Sequence, residues 1–379
     1  MVQPNVIVVG GGVVGCATSY YLAVSGIQVT LVERDTIGSH ASGFAYGGLT
    51  PVMGLVIDDP VIPLSNLSDR LHSELAQILP EETGINTEYR VKTSLTLATN
   101  SFSESKLRAA FDWLSANHPG HVNWFSYDEV RRTEPRVSSV VCGGLYADYS
   151  HELEPYKFTL ALWQAAERRG AKLRHGNITG LEKRGHTVTG VSIDGTPLYA
   201  DAVVIAAGPW TGAFGAWLDC NIPIEPLKGQ ILRLNSPDRP LDLSLSWDGN
   251  YCTTKPDGLV WAGTTEEHGT FDETPSSDGR DSILESLVHV LPFMAEAELV
   301  HQTACLRPIS PDGLPIIGSF PEAEAAFVAS GTGRKGILLG PGVGKTIADL
   351  VLERKPEIDV RPLSPIRFST LPSHRPTDG

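Results

Sequence analysis

The chain is poor in the features that mark several common protein classes. Its five cysteines among 379 residues (Cys16, Cys142, Cys220, Cys252 and Cys305) stand far apart, with no Cys-x-x-Cys pair. That spacing excludes a disulfide scaffold and a cysteine-ligated zinc site, and it suits a reducing compartment. No apolar run approaches the roughly 18 residues that a membrane helix needs. The opening MVQPNVIVVGGG has neither the basic n-region nor the long apolar stretch of a signal peptide. A cytoplasmic protein without membrane insertion is therefore expected. Positive charge is in deficit, with 30 Lys+Arg against 44 Asp+Glu for a formal charge of −14. Such a surface has little nonspecific affinity for phosphate backbones, so nucleic acid is not expected as a partner. No internal repeat, Ser-His-Asp set or metal-ligand cluster recurs at useful spacing, and no metal is expected.

What is abundant is apolar residues, glycine and proline. With 41% hydrophobic and 20% charged residues the chain is an ordinary globular protein. The 38 glycines and 27 prolines imply tight turns and close backbone approaches. The length suits two domains or one large discontinuous fold.

Asn5 to Val9 is a β-branched run that ends in three glycines and passes into a helical stretch, Val13 to Ser25; a second β-branched run, Ile27 to Glu33, follows. Residues 5–33 thus predict β-turn-α-β, the opening unit of a parallel sheet. Helices are expected over Leu64 to Leu79, Glu104 to Ala116, Lys157 to Gly170, Asp281 to Val290 and, at the end, Val343 to Leu352. Strands are expected over Thr93 to Ala98, Lys172 to His175, Val188 to Ile193, Ala202 to Gly208, Gln230 to Leu234, Leu259 to Ala262 and Ala326 to Ala329. Alternation within 223–305 predicts an antiparallel sheet with one open face. The proline-rich end from Pro362 reads as extended.

Gly10-Gly11-Gly12-Val13-Val14-Gly15 satisfies G-x-G-x-x-G between a strand and a helix. Gly10 allows the tight turn, Gly12 lets the backbone approach a pyrophosphate, and Gly15 lets helix and strand pack closely, with the helix N-terminus facing the anion. Glu33 closes the second strand, 18 residues after Gly15, where a carboxylate accepts both ribose hydroxyls and opposes a 2′-phosphate. The motif does not separate FAD from NAD.

Three further stretches do. Arg34 through Pro51 (RDTIGSHASGFAYGGLTP), Arg307-Pro308 with Asp312 to Gly318 (DGLPIIG), and Gly331 to Leu338 (GTGRKGIL) stand with Pro226 to Gln230 and Ala206-Ala207-Gly208 between them. Together they resemble the FAD-dependent amine and D-amino-acid oxidase family, most closely its glycine oxidase and monomeric sarcosine oxidase branch, over almost the whole chain. The resemblance implies a mixed α/β fold: a discontinuous Rossmann-like FAD-binding domain (1–85, 148–222, 306–365), an interleaved antiparallel-sheet substrate domain (86–147, 223–305) and an extended tail (366–379). It implies FAD, bound non-covalently or through a thioether at Cys305, where sarcosine oxidases carry the linking cysteine; the alternative for Cys305 is a packing residue. The cofactor-binding positions it carries over are Gly10, Gly12, Val13, Val14, Gly15, Glu33 and Arg34 at the nucleotide end. Ser42, Gly47, Gly48, Leu49, Ile178, Ala207, Gly208 and Trp210 continue the set, which closes with Cys305, Gly333, Arg334, Lys335, Gly336 and Ile337. Backbone N–H groups and a helix start in Gly331–Gly344 would favour the electron-rich N1/O2 edge of a reduced flavin.

On the substrate side the resemblance makes Arg307 the holder of a substrate carboxylate, a task suited to a planar fork that stays charged. It makes Tyr251 the assisting phenol and Arg334 a second active-site arginine. Gly249 and Thr265 depart from glycine oxidase, which has histidine and methionine there, so the substrate need not be glycine. Of the histidines, His40, His151 and His268 read as surface residues, with His40 the one inside the flavin signature. The expected activity is oxidation of the C–N bond of a small primary or secondary amino acid by hydride transfer to flavin, with O2 reduced to H2O2. The alternatives are a flavoprotein dehydrogenase passing electrons to a quinone or partner and a non-catalytic nucleotide-binding module. Partners are a small amino acid or amine, O2, and a second copy of the chain.

Overall fold

Val6, Ile7, Val8 and Val9 are all buried, which a strand achieves only when both faces of its sheet are covered. In the computed structural model, which describes residues 4–50, 59–117 and 120–369, the strand Asn5–Val9 lies inside a nine-stranded sheet. Its neighbours are Gln28–Glu33 and Ala202–Ile205, both parallel to it, with Lys172–His175 beyond the first and Ala323–Ser330 beyond the second. Alternate side chains divide between two cores. Val6 and Val8 join the core formed with the helices Val13–Val24, Ile62–Thr83, Pro155–Glu167 and Gly336–Val351. Ile7 and Val9 join Val188, Val191 and Phe214 on the opposite face.

The helix layer is tight because glycines allow it. A Cβ at Gly344 would stand 2.6 Å from the Cβ of Ala17 and 2.7 Å from its carbonyl carbon, and one at Gly340 would meet Val13 at 2.8 Å. The glycines at 340, 342 and 344 are therefore packing surfaces inside a helix. This corrects the expected bounds of the closing helix: it begins at Gly336, seven residues before the expected Val343, and contains Pro341.

A second nine-stranded sheet is antiparallel except where Ser244–Trp247 runs beside Ser94–Ala98. Its long strands Glu225–Asn235 and Glu298–Ile309 pair along their whole length, with Leu227 opposite Arg307 and Gly229 opposite Cys305. One face of this sheet packs Leu232, Leu234, Cys252 and Ala262 against the helix Ser277–Val290. The alternate residues Ile231 and Tyr251 face a cavity, so the expected open face is a cavity wall at this end. A three-stranded sheet of Gly48–Leu49, His151–Glu152 and Arg90–Val91 completes the strands described.

The strand Glu298–Ile309 was not expected from sequence: Glu298, His301 and Gln302 break the apolar alternation, and only Thr303 to Leu306 is buried. The expected extended tail is also corrected. Residues Arg361–Leu363 and Pro365–Phe368 form 3₁₀ turns whose Leu363 and Phe368 are buried, and Arg367 ties the second turn to Asp312 at 2.7 Å. Pro51, the last residue of the Arg34 signature, and the tail beyond residue 369 lie outside the described residues.

Candidate active site

A cavity of about 550 Å³ runs from the first strand-helix turn to the face of the second sheet. That volume is ordinary for a cofactor or substrate site. At its nucleotide end Gly10 has φ +106°, and a Cβ there would collide with the Ala206 carbonyl oxygen. A Cβ at Gly15 would overlap the Gly10 carbonyl oxygen, so Gly15 serves the close packing assigned to it and does not line the cavity. The helix N-terminus is organised from the side by Ser42, whose Oγ accepts the Val13 N–H at 2.9 Å. Glu33 is buried and its carboxylate is oriented by two backbone donors, Gly11 N–H at 2.6 Å and Asp35 N–H at 2.8 Å. Arg34 sits over the Trp210 ring, 3.8 Å from its centroid, and both residues line the cavity. Val14, Gly47, Gly48, Ile178, Ala207 and Gly208 also line the cavity. Leu49 does not: its side chain is fully buried in the helix-side core.

The residues present fit FAD. The turn is opened by glycines, its N–H groups and an oriented carboxylate face the same space, and the cavity continues past the helix start at Gly336 to the second sheet. Gly333, Lys335, Gly336 and Ile337 line that middle stretch. Burial brings the Lys335 ammonium down to about 8, opposed by Asp59.

At the far end Arg307 rises from the strand Glu298–Ile309. Its Nη2 donates to Thr264 Oγ1 at 2.6 Å and its Nη1 to the Thr265 carbonyl at 3.3 Å, and the guanidinium lies over Gly229, where any Cβ would overlap it. Among the described residues no carboxylate pairs with it. Tyr251 packs against Tyr46 with the rings tilted by 36° and their centroids 4.2 Å apart, and Tyr46 bonds Ser244. Burial pushes the Tyr251 phenol up, against the opposing pull of Arg307, so it stays protonated. The turn that places Tyr251 is the two-residue hairpin Asp248-Gly249, with φ +42° and +85°. Asp-Gly between strands is a sequence signal for this hairpin. Cys305 lies in the cavity wall, 5% exposed, with its thiol pushed up to about 11 by burial.

Arg334 lines the cavity, but its side chain is 59% exposed and pairs with Glu266. Glu266 was not foreseen, because nothing in its local sequence marks a partner 68 residues away. His40 corrects its surface assignment. It lines the cavity, stacks edge-on to Trp210 with centroids 4.9 Å apart, and bridges Asp35 at 2.9 Å and Glu273 at 2.8 Å. Glu273 above all raises its pKa. Glu33, Asp35 and His40 bring ligand atoms within 4.8 Å of one another, a grouping the spacing alone had not suggested. His151 is likewise no surface residue, stacking on Tyr89 with centroids 5.0 Å apart.

A parallel nucleotide-binding sheet joined by one cavity to an antiparallel sheet bearing an unpaired arginine defines the class of two-sheet flavin oxidoreductases. The chain belongs to the FAD dependent oxidoreductase family, which matches residues 5–350. It is 32% identical over 366 residues to the glycine oxidase of Geobacillus kaustophilus, covering 95% of this chain and 96% of that one. The crystal structure of glycine oxidase from Geobacillus kaustophilus superposes with a TM-score of 0.91 at 31% identity, over 96% of this chain and 98% of the other. The L-proline dehydrogenase structure from P. horikoshii shares the fold, with a TM-score of 0.86 at 22% identity over 97% of this chain and 98% of that one. The protein is an FAD-dependent oxidoreductase. Among the described residues no helix is long and apolar enough to cross a membrane.

Proposed function

We propose that the protein oxidises the C–N bond of a small primary or secondary amino acid to the imine, with O2 as the acceptor and H2O2 and, after hydrolysis, an oxo acid as products. The observation that carries this reading is Arg307, a half-buried cation on the cavity wall whose hydrogen bonds go only to neutral acceptors. A carboxylate is the ligand that satisfies such a fork. FAD, when bound, supplies the hydride acceptor. Arg307 fixes one end of the substrate, Thr264 and Gly229 fix the guanidinium, and the Tyr46–Tyr251 pair closes the side wall, so the substrate Cα–H is presented in one orientation. The raised Tyr251 phenol donates a hydrogen bond to the carboxylate rather than competing with it for Arg307. Gly249 lines the cavity with nothing within 4 Å of an added Cβ, which leaves room for an α-substituent or N-substituent.

The amine must arrive neutral, and orientation by Arg307 then does the work. Cys305 acts as a packing residue of the cavity wall, 5% exposed, and FAD is bound non-covalently and released on denaturation. Residues 1–85, 148–222 and 306–365 form the FAD-binding domain and 86–147 with 223–305 the substrate domain; the strands Ser94–Ala98, Glu225–Asn235 and Val260–Gly263 of one sheet support that partition. We place the protein in the cytoplasm. The test is an oxygen electrode with glycine, sarcosine, proline and D-alanine in turn: O2 uptake matched by H2O2 with at least one of them supports the reading. Turnover that proceeds only with a quinone or dye acceptor makes the protein a dehydrogenase.

A further inference from the structure

The helix Gly336–Val351 carries a proline in its second turn, and the damage is repaired by one neighbour. Pro341 has no N–H, so the Ile337 carbonyl four residues earlier has no intrahelical donor. His72, from the helix Ile62–Thr83, supplies it: Nε2 lies 3.0 Å from the Ile337 oxygen and 3.1 Å from the Leu338 oxygen. One turn earlier on the same helix Ser68 closes the set, accepting the Gly342 N–H at 3.0 Å and donating to the Leu339 carbonyl at 3.2 Å. Two residues spaced i, i+4 thus hold three successive carbonyls, and both are buried. Because both of its acceptors are carbonyls, His72 carries its proton on Nε2. Its Nδ1 has no partner among the described residues. Gly342 makes the approach feasible, since a Cβ there would collide with Ser68 Oγ.

The residues so held are the ones that face the cofactor space: Gly336, Ile337 and Leu338 line the cavity. We propose that His72 and Ser68 are positioning residues that fix the first turn of the helix Gly336–Val351 against the flavin, so that its N–H groups and positive end favour the reduced, electron-rich cofactor. The proposal rests on the flavin reading of the cavity given above. Burial holds His72 well below its ordinary value, at about 4, so the bond pattern is that of a neutral imidazole throughout the working pH range. A charged ring there would add a second buried donor with nothing to accept it.

The experiment uses the purified flavoprotein with three variants, His72→Phe, which keeps an aromatic ring and loses the donor, His72→Gln, which keeps an N–H donor without a titrating ring, and Ser68→Ala. The flavin reduction potential and the visible circular dichroism of bound FAD are measured beside the melting temperature, and amide hydrogen exchange is followed across residues 336–340. His72→Phe is expected to weaken reduced FAD tenfold relative to oxidised FAD, a fall of about 30 mV for a two-electron couple. It is also expected to speed exchange of those amides at least tenfold. His72→Gln restores most of both, and Ser68→Ala moves both in the same direction by less. A lower melting temperature with potential, dichroism and local exchange all unchanged overturns the proposal and leaves a purely structural role. If His72→Phe does not fold, the comparison of Ser68→Ala and His72→Gln with wild type decides by the same readouts. A yellow wild type with unmoved variants overturns this proposal alone, whereas a wild type that binds no flavin overturns the flavin reading and this proposal with it.

Discussion

Replacing Arg307 by alanine removes the one cation on the substrate wall that has no acidic partner among the described residues. A carboxylate held by the guanidinium fork gains two charge-assisted hydrogen bonds, each worth roughly 1.5–3 kcal/mol. Arg307 is half-buried and its cavity admits water, so the lower part of that range applies, giving about 4 kcal/mol in all. At 1.36 kcal/mol per decade this is a roughly thousandfold loss in kcat/KM for an amino-acid substrate. The fold loses less. Thr264 Oγ1 and the Thr265 carbonyl give up one donor each, at about 1 kcal/mol apiece. FAD, whose nucleotide end is held by the Gly10–Gly15 turn and Glu33, stays bound. The assay is steady-state oxidation of an amino acid and of its decarboxylated amine, with FAD content read from the absorption spectrum. The amine serves as the internal control, since it never used the arginine. A loss of less than threefold with the amino acid, or an equal loss with the amine, refutes the assignment.

Gly229→Ala pushes a methyl into the space of the Arg307 guanidinium, the movable end of a side chain, so KM is expected to rise about tenfold while stability changes by about 1 kcal/mol or less, checked by kinetics beside a thermal melt. Gly344→Ala meets the Ala17 Cβ and backbone, which cannot yield, and is expected to cost about 1–3 kcal/mol in urea denaturation with no change in KM for the folded fraction. The pH dependence of stability carries the signature of His72. Its folded value of about 4 lies below the ordinary 6.5, so between these limits the unfolded chain binds more protons and stability falls as pH drops from 6.5 towards 4. In denaturant titrations across that window His72→Gln is expected to show a shallower fall; an unchanged slope contradicts the buried neutral ring.

The parts of this protein visible in its sequence are those fixed by local constraint. The Gly10–Gly15 turn and Glu33 are spelled out within 24 residues, because a positive φ and two close backbone approaches each demand glycine where the chain has it. The Asp248-Gly249 hairpin that delivers Tyr251 is equally local, since Asp-Gly between two strands is itself a hairpin signal. The start of the last helix was not readable in the same way. Three glycines and Pro341 argue locally against a helix, and it is Ala17, Ser68 and His72, far away in sequence, that make those residues the right ones. The Arg334–Glu266 pair and the His40–Glu273 bridge belong to the same category, being products of the tertiary fold alone. The long strand Glu298–Ile309 escaped for another reason: its partner strand buries its middle while its polar end stays exposed.

The central claim is that an amino acid anchored on Arg307 reduces FAD in this cavity and that O2 restores it. Anaerobic addition of glycine, sarcosine, proline or D-alanine to the purified protein, followed through the flavin absorption band, addresses it most directly. The account predicts that at least one of them bleaches the band and that admitted air returns it within seconds. A band that stays unbleached with every amino acid at saturating concentration contradicts the claim.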